Sequence, residues 1–282
     1  MIKLKIFYED EDIIVVQKPA GVESQEARGF AQDMVSLIRN HRMLSTQLST
    51  PPSTRRTPPY VGVIHRLDRQ VSGVMVYAKT KKAAAVLSAA VQKGEVRKIY
   101  HAVVCGKPVD NHGQWVDYLL KNGKINTTSV VDKSVEDAKK AVLNYTVLGT
   151  AKVNERDLQP PAARNRPMQP GVQMAVESET KSMIDSASEP GVTAEASGRE
   201  LSLLEIELLT GRHHQIRVQC ASRDLPLWGD VKYNPAFQDR RGVNPALCSV
   251  QLTFRHPVTG KQMTFSMKPE AEVFRLFPEE AQ

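Results

Sequence analysis

Short β-strands dominate the elements that the hydrophobic pattern predicts. Residues 2–6 alternate apolar and charged side chains, and residues 13–16 form an apolar run that ends at a Lys-Pro-Ala-Gly turn. Both patterns are typical of strands, and together they predict an N-terminal strand pair. Further strands are predicted at residues 74–78, 96–105, 115–120, 141–148, 201–209, 247–254 and 262–267. A Pro-to-Gly turn at 257–260 makes the last two a predicted hairpin.

Three segments have the spacing of helices. Phe30, Met34, Leu37 and Ile38 recur at helical spacing, which predicts a short amphipathic helix. The clearest helix is predicted after Thr80, whose hydroxyl can cap its first turn, and before Gly94, which can end it. Its apolar face consists of Ala83, Val86, Leu87, Ala90 and Val91. A third helix is predicted from Thr210 to about Ala221.

Two stretches lack these patterns. Residues 44–59 are rich in Ser, Thr and Pro and predict a loop. Residues 151–199 are dominated by Pro, Ser, Glu, Gln and Ala, and this composition buries too little apolar surface to offset the entropy of ordering. We interpret them as a flexible insertion between two strands of a single domain that covers residues 1–282. A domain boundary is the alternative, and it is weaker because motif residues that belong together lie on both sides.

Composition and charge narrow the class of protein. The formal net charge of +7 and the pI near 9.3 favour a polyanionic partner, nucleic acid first, although many globular proteins are mildly basic. The three cysteines, Cys105, Cys220 and Cys248, have neither the spacing of a disulfide framework nor that of a zinc site, which fits a reducing cytoplasm. No signal peptide and no run of membrane-spanning length is visible, so no membrane partner is expected.

One stretch, residues 63–74 with the sequence VIHRLDRQVSGV, points to chemistry. Asp68 lies between Arg66 and Arg69, and two guanidinium groups beside a carboxylate favour its ionised form. Ser72 and Gly73 follow as a turn that lets the backbone approach a ligand closely. Asp68 is therefore a candidate nucleophile, whereas the plainer interpretation is a solvated salt-bridge network. The catalytic loop of protein kinases also has His-Arg-x-Asp, but the accompanying kinase motifs are missing.

The same residues resemble the HRLD-x-x-[TS]-SG signature of the RluA-type pseudouridine synthases, in which the aspartate is catalytic. Two further segments resemble that family in order and content: residues 98–106, KIYHAVVCG, and residues 210–217, TGRHHQIR. By this resemblance Tyr100 is an active-site tyrosine and Arg217 pairs with Asp68. Without the family, a buried core residue would be the better interpretation of Tyr100. The resemblance also implies substrate contacts from His65, Arg66, Arg69, Arg212, His214 and Gln215.

The resemblance spans nearly the whole chain and implies a fold. That fold is the α+β catalytic fold of pseudouridine synthases, with a mixed, largely antiparallel sheet, flanking helices and a central basic cleft; the many strands and few helices agree with it. We expect no S4-type domain before Met1. Departures from the family pattern lie at Gln70, Val71 and Gln219, and in the length of the 151–199 stretch.

The implied function is an RNA pseudouridine synthase that isomerises specific uridines in ribosomal or transfer RNA. Structured RNA is then the expected partner of what we expect to be a monomer, with no metal and no cofactor. A metal site at His213 and His214 is disfavoured because adjacent helical positions point about 100° apart. The alternative is a non-catalytic RNA-binding protein or RNA chaperone that keeps the fold.

Overall fold

The computed structural model describes residues 3–27, 29, 31–47, 58–153 and 199–278. Spatial contacts divide the chain into a larger unit, residues 1–151 and 201–282, and a smaller one, residues 152–200. The predicted insertion at 151–199 lies almost entirely outside the described residues, so its flexibility stays a prediction. The predicted single domain likewise stays a prediction.

Eleven strands and three α-helices are present in the described ranges. The strands are β1 Lys5–Glu9, β2 Ile13–Lys18, β3 Gly62–Val63, β4 Ser72–Ala78, β5 Arg97–Cys105, β6 His112–Asn122, β7 Thr127–Val131, β8 Lys139–Val153, β9 Arg199–Leu208, β10 Leu247–Arg255 and β11 Gln262–Ser266. The helices are α1 Met34–Gln47, α2 Lys81–Gln92 and α3 Gln215–Ala221, with short 3-10 turns at Pro235–Phe237 and Glu272–Leu276.

The strands form one mixed sheet in the order β1-β2-β4-β10-β5-β9-β8-β6-β7, with β3 also paired to β4 and β11 to β10. β4 and β10 run parallel. The pairs β1–β2, β2–β4, β10–β5, β5–β9 and β6–β8 are antiparallel. The predicted α+β class and largely antiparallel sheet are confirmed.

Both faces of the central strands are buried, because helices pack on each. Alternate residues of β2 and β4, such as Ile14 and Tyr77, join one core with α1, α3 and Tyr100. The residues between them, such as Ile13 and Val76, join a second core with α2. This two-sided burial explains why β2 and β4 are continuous apolar runs rather than alternating ones.

The loop that carries Asp68 leads directly into β4, and Gly73 fixes how closely that strand approaches β10. Gly73 has φ +148, and a Cβ added there would lie 2.4 Å from Cβ of Ser249 and 2.6 Å from its backbone nitrogen. The sequence predicts that Gly73 lets the backbone approach a ligand closely. That was wrong, since the close neighbour is β10 of the protein itself.

Two predicted helix boundaries were also wrong, and β1 covers Lys5–Glu9 rather than the predicted residues 2–6. Helix α1 continues to Gln47, four residues into the predicted 44–59 loop, and Ser45 donates a 3.0 Å hydrogen bond to the carbonyl of His41 one turn earlier. Residues 48–57 of that loop lie outside the described residues. Helix α3 begins at Gln215 rather than Thr210, because His214 has φ +52 and interrupts helical geometry.

Helix α2 follows the prediction closely. The Thr80 hydroxyl accepts a 3.1 Å hydrogen bond from the backbone N–H of Ala83, which satisfies one of the unpaired donors of the first turn. Gly94 has φ +74 just beyond the end of the helix, as expected of a residue that ends it.

Candidate active site

Asp68 lies in the loop between β3 and β4, and buried side chains hold that loop on both sides. Ser24 donates a 2.5 Å hydrogen bond to the carbonyl of Leu67 and accepts one of 3.0 Å from its N–H. The fully buried ammonium of Lys18 donates to the carbonyl of Arg69 at 3.0 Å and to that of Val22 at 2.6 Å. The loop is thus fixed one residue before and one residue after Asp68.

Burial lowers the pKa of Lys18 to about 8, while the charges of Glu23 and Asp68 act in the opposite direction. The ammonium form supplies three donors to three carbonyl oxygens, of Pro19, Val22 and Arg69. Its role in the described structure is therefore to hold the loop in place.

Arg217, on α3, is the cation that contacts Asp68. Its Nη1 lies 3.0 Å from Oδ2 of Asp68, and the arginine side chain is 2% exposed. Its Nε and Nη2 each donate a 2.7 Å hydrogen bond to one oxygen of Asp230, which is fully buried. Burial acts to lower the pKa of Arg217, but the hydrogen bonds and charges of Asp230 and Asp68 outweigh it and raise the pKa. The guanidinium is therefore a fixed positive charge.

His214 is the second group beside the Asp68 carboxylate. Its Nε2 lies 3.6 Å from Oδ2 of Asp68, and its Nδ1 lies 2.8 Å from the hydroxyl of Tyr233. Burial lowers the pKa of His214 to about 3, although the charge of Asp68 acts to raise it. The imidazole is neutral at physiological pH.

Tyr100 lies on β5 and is 5% exposed. Burial raises the pKa of its hydroxyl, and the negative charge of Asp68 adds to the shift. A tyrosine of this kind is a proton donor or a stacking surface rather than a phenolate at neutral pH.

These groups meet in one cleft, whose lining mixes charged, polar and apolar residues. Its lining consists of Arg66, Leu67, Asp68, Val71, Tyr100, Leu208, Gly211, Arg212, His214, Gln215, Ile216, Arg217 and Leu247. Three distant stretches of sequence therefore come together as predicted: the loop before β4, strand β5 and the start of α3. A mixed lining with a few convergent charged groups is typical of a small-ligand or base pocket.

The two arginines near Asp68 in sequence, Arg66 and Arg69, contact groups other than its carboxylate. Arg69 donates its Nε proton to the carbonyl of Gly21 at 3.0 Å, and Arg66 lies 3.5 Å from the side-chain oxygen of Gln25. Both side chains are exposed and Arg66 lines the cleft, but the cation that contacts Asp68 is Arg217, as the family resemblance implied. The partner that contacts the carboxylate of Asp68 is thus a residue 149 positions away in the sequence.

His65 is not among the residues that line the cleft. Its Nε2 accepts a 3.3 Å hydrogen bond from the backbone N–H of Val76, and burial lowers its pKa to about 3. The expectation that His65 contacts the substrate is therefore unsupported by its position. The bend at His65 after β3 directs the ring toward β4.

Arg212 and Gln215 do line the cleft, but their polar atoms are engaged. The side-chain oxygen of Gln215 accepts from the Thr210 hydroxyl at 2.8 Å and the Arg212 N–H at 3.0 Å, and its nitrogen donates to the carbonyl of Val142 at 3.1 Å. Arg212 donates its Nε proton to the carbonyl of Lys140 at 2.9 Å. Gln215 therefore holds the 210–212 turn in place, whereas the exposed Arg212 has further donors to offer.

Comparison with known proteins identifies the family of this chain. The family model described as RNA pseudouridylate synthase matches residues 12–222, about three quarters of the chain. This chain belongs to the RNA pseudouridylate synthase family. The matched residues include Asp68, Tyr100 and Arg217.

Several relatives of the family have curated names. The ribosomal large subunit pseudouridine synthase D of Zymomonas mobilis is 27% identical over 285 residues, which cover 98% of this chain and 72% of that protein. The protein of the same name in Vibrio cholerae is 28% identical over 93% of this chain and 66% of its own. An uncharacterized RNA pseudouridine synthase of Bacillus subtilis is 30% identical over 82% of this chain and 58% of its own. The chain thus spans about two thirds of the length of these relatives.

Two solved structures share the fold. Human RNA pseudouridylate synthase domain containing 4 superposes with a TM-score of 0.62 at 18% identity, covering 96% of this chain and 90% of the human one. Human RNA pseudouridylate synthase domain containing 1 gives a TM-score of 0.59 at 19% identity, covering 94% and 83%. These likenesses establish that the chain has the pseudouridylate synthase fold.

The sequence analysis of this family member missed the groups that support the site. Asp230 and Tyr233 follow Arg217 in the sequence, and neither was predicted to act in the site. Thr128, on the unpredicted strand β7, donates its backbone N–H to the Tyr233 hydroxyl at 2.8 Å. The available signal was an acidic and an aromatic residue shortly after the Arg217 helix. Nothing local indicated which side chains they would contact.

The described ranges also bear on metal ligands and membrane spans. They contain no cluster of three or more His, Cys, Asp or Glu side chains that could hold a metal ion. None of the helices in the described part of the chain has the length and apolar content of a membrane span.

Proposed function

We propose that this chain is an RNA pseudouridine synthase that converts specific uridines of large-subunit ribosomal RNA to pseudouridine, with Asp68 as its catalytic carboxylate. Membership of the family supports the reaction type. The names of the relatives from Zymomonas and Vibrio, ribosomal large subunit pseudouridine synthase D, support ribosomal RNA as the substrate class.

The observation that carries the proposal is the contact of Asp68 with Arg217 inside the cleft. A carboxylate in a partly dry site tends to take up a proton and become unreactive unless a cation holds it ionised. Arg217 lies 3.0 Å from Oδ2 and is itself fixed by two hydrogen bonds to Asp230. Asp68 is 27% exposed at its side chain, so it is paired with a cation and remains accessible.

The reaction is an isomerisation, so atoms and electrons balance without a co-reactant. The bond from uracil N1 to ribose C1′ breaks, and a bond from C5 to C1′ forms. The hydrogen on C5 leaves as a proton, and N1 gains one. Asp68 supplies the negative charge that reacts with the nucleoside or stabilises the detached sugar. Tyr100, buried beside it, supplies a surface for the base and a hydroxyl for proton transfer.

The substrate uridine must leave its base stack to enter the cleft. A base paired inside a helix is out of reach of Asp68, so the target is unpaired or flipped. Arg66, Arg69 and Arg212 lie exposed at or near the cleft margin and would bind phosphates of the flanking nucleotides. The net charge of +7 favours the approach of RNA in general. We place this activity in the cytoplasm, which the free thiols of Cys220 and Cys248 fit.

Mapping pseudouridines in ribosomal and transfer RNA from cells with and without this gene tests the proposal. We expect one or a few large-subunit positions to revert to uridine without the gene and to be restored by the wild-type gene. Loss confined to transfer RNA would overturn the substrate assignment. If no position changes in either RNA, and purified protein converts none, the chain is an RNA-binding protein without this activity.

A further inference from the structure

The two ring nitrogens of His214 face different groups, a hydroxyl and a carboxylate. Nδ1 lies 2.8 Å from the Tyr233 hydroxyl, and Nε2 lies 3.6 Å from Oδ2 of Asp68. A neutral imidazole carries one proton, so one nitrogen donates and the other accepts. Which nitrogen is protonated decides whether Asp68 faces an N–H group or a lone pair.

Contacts of Tyr233 favour one direction for the first hydrogen bond. The Tyr233 oxygen already accepts a 2.8 Å hydrogen bond from the backbone N–H of Thr128. A backbone amide can only donate, so the phenolic proton of Tyr233 is available to His214. Nδ1 of His214 then accepts, and the ring proton lies on Nε2, toward Asp68.

His214 has little freedom to leave this arrangement. His213 stacks on its ring with centroids 3.7 Å apart, and His213 Nδ1 is hydrogen-bonded to the Thr128 hydroxyl at 2.7 Å. The Tyr233 ring meets His214 edge-on, with centroids 5.5 Å apart. The backbone of His214 has φ +52, in the left-handed region that non-glycine residues adopt uncommonly and His more often than most. Strand β7 and the turn after Asp230 therefore fix both the ring and its protonation.

Both partners of Asp68 approach the same oxygen. Arg217 Nη1 and His214 Nε2 lie 3.0 Å and 3.6 Å from Oδ2, whereas Oδ1 has no hydrogen-bond partner among the described residues. The longer distance exceeds that of a hydrogen bond, so His214 acts on Oδ2 through the dipole of its N–H group. The two oxygens of Asp68 thus differ in their contacts.

We propose that Thr128 and Tyr233 fix His214 as the Nε2-protonated form, that His214 and Arg217 together engage Oδ2 of Asp68, and that Oδ1 is the oxygen that reacts with the nucleoside. His214 is then a positioning residue. This inference rests on the proposed function for its last step, but the protonation of His214 can be measured without any activity.

The first test is nitrogen NMR of the ring of His214 in the wild-type protein, assigned with a His214→Gln variant. We expect a protonated Nε2 and an unprotonated Nδ1 at pH 7. A spectrum with the proton on Nδ1 overturns the inference. In Tyr233→Phe, which removes only the phenolic oxygen, we expect a mixture of both forms.

Single-turnover kinetics test the consequence for chemistry. We expect Tyr233→Phe to lower the rate of pseudouridine formation by about tenfold while the Kd for the RNA is unchanged, because the Nε2 proton is no longer held toward Asp68. Tyr145→Phe is the matched control, since the buried Tyr145 hydroxyl contacts the carbonyl of Asp110 at 3.3 Å and does not line the cleft. A wild-type rate in Tyr233→Phe overturns the positioning role.

Two variants at His214 separate its N–H group from its bulk. His214→Phe keeps an aromatic ring but has no donor, whereas the side-chain amide of Gln in His214→Gln can donate from nearly the position of Nε2. We expect the Gln variant to recover at least part of the rate lost in the Phe variant, at similar thermal stability. Equal losses in both would reduce His214 to a packing residue.

A crystal structure with RNA that contains pseudouridine at the mapped position tests the oxygen assignment. We expect Oδ1 of Asp68 to face C1′ of that nucleotide and Oδ2 to keep its contact with Arg217. The reverse orientation would overturn the assignment. If the wild-type protein forms no pseudouridine at all, the proposed function fails, and the NMR result still decides the protonation of His214.

Discussion

Arg217 donates two hydrogen bonds of 2.7 Å to Asp230 and uses its remaining nitrogen to contact Asp68 at 3.0 Å. Asp230 in turn accepts from the backbone N–H groups of Lys232 and Tyr233 at 2.9 Å and 3.2 Å. One fully buried carboxylate therefore aims the guanidinium at the exposed one. The orientation of Arg217 toward Asp68 thus depends on a residue that does not line the cleft.

Asp230→Asn should damage both stability and activity. The change leaves a buried arginine without half of its charge-assisted partners, which we expect to lower the free energy of unfolding by about 3–5 kcal/mol. Arg217 also loses the fork that aims it, so the single-turnover rate should fall even where the protein is folded. Thermal melts and rates at a temperature well below the melting point would separate the two effects.

Asp117→Asn is the matched control for that experiment. Asp117 forms a similar two-point contact with Arg223, at 2.8 Å and 3.2 Å, but this pair is partly exposed and does not line the cleft. We expect a smaller loss of stability and a nearly unchanged rate. If Asp230→Asn retains the rate of the control, Arg217 does not need Asp230 to reach Asp68.

Three buried histidines should make the protein less stable in mild acid. Burial lowers the pKa of His65 and His214 to about 3 and that of His101 to about 4. In the unfolded chain a histidine has a pKa of about 6.5, so between these values the unfolded state binds more protons than the folded state. The stabilisation is fully present above about pH 6.5 and is lost progressively as the pH falls below it.

Urea unfolding at pH 7.5, 6.0 and 5.0 measures this loss, which can approach about 1.4 kcal/mol per pH unit for each histidine. His65→Gln should flatten the dependence, because the amide oxygen can accept from Val76 but does not titrate. His112→Gln, at an exposed position on β6, is the control. A stability that is constant between pH 7.5 and 5.0 would show that these histidines are not desolvated in the folded protein.

Sequence patterns predicted the elements of this fold better than their contacts. The strands around Tyr100, the capped helix after Thr80 and the terminal hairpin follow from local periodicity and local capping, and all are confirmed. Strand β7 was missed because its five residues, TTSVV, are too few for a clear period. Helix α3 was predicted too long, because no local pattern announces the positive φ of His214.

In the candidate site too, the sequence predicted the residues better than it predicted their contacts. Motifs identified Asp68, Tyr100 and Arg217, and the fold brings all three to one cleft. The nearby arginines Arg66 and Arg69 were expected to favour the ionised form of Asp68, but the contact is made by Arg217 on α3, the residue that the family resemblance implied. Tertiary partners of this kind depend on sheet order and on where a helix begins, and neither quantity is readable from spacing along the chain.

The segment between β8 and β9 should be dispensable for the reaction. These two strands are neighbours in the sheet, and the segment that joins them has a composition that favours little apolar burial. Because β8 extends to Val153 and β9 begins at Arg199, the segment to replace is 154–198, slightly shorter than the sequence suggested. A short Gly/Ser bridge should leave the melting temperature nearly unchanged, since loop length affects closure entropy only weakly.

Rates on full-length ribosomal RNA and on a short fragment that contains the target uridine test this prediction. We expect the shortened protein to match the full-length chain on both. A folded protein that works on the fragment but loses most of its turnover on the long RNA would make the segment a substrate-recognition element.

Release of tritium from RNA labelled at C5 of uridine tests the central claim most directly, because forming the C5–C1′ bond expels that hydrogen. Asp68→Asn has nearly the same shape as the wild type but cannot act as a nucleophile. Asp224→Asn, at an exposed carboxylate beyond α3, is the control. We predict that Asp68→Asn melts at a temperature similar to that of the wild type, binds the RNA and releases no tritium above background, while the control releases it at the wild-type rate. Release at the wild-type rate by Asp68→Asn would contradict the assignment of Asp68 as the catalytic carboxylate.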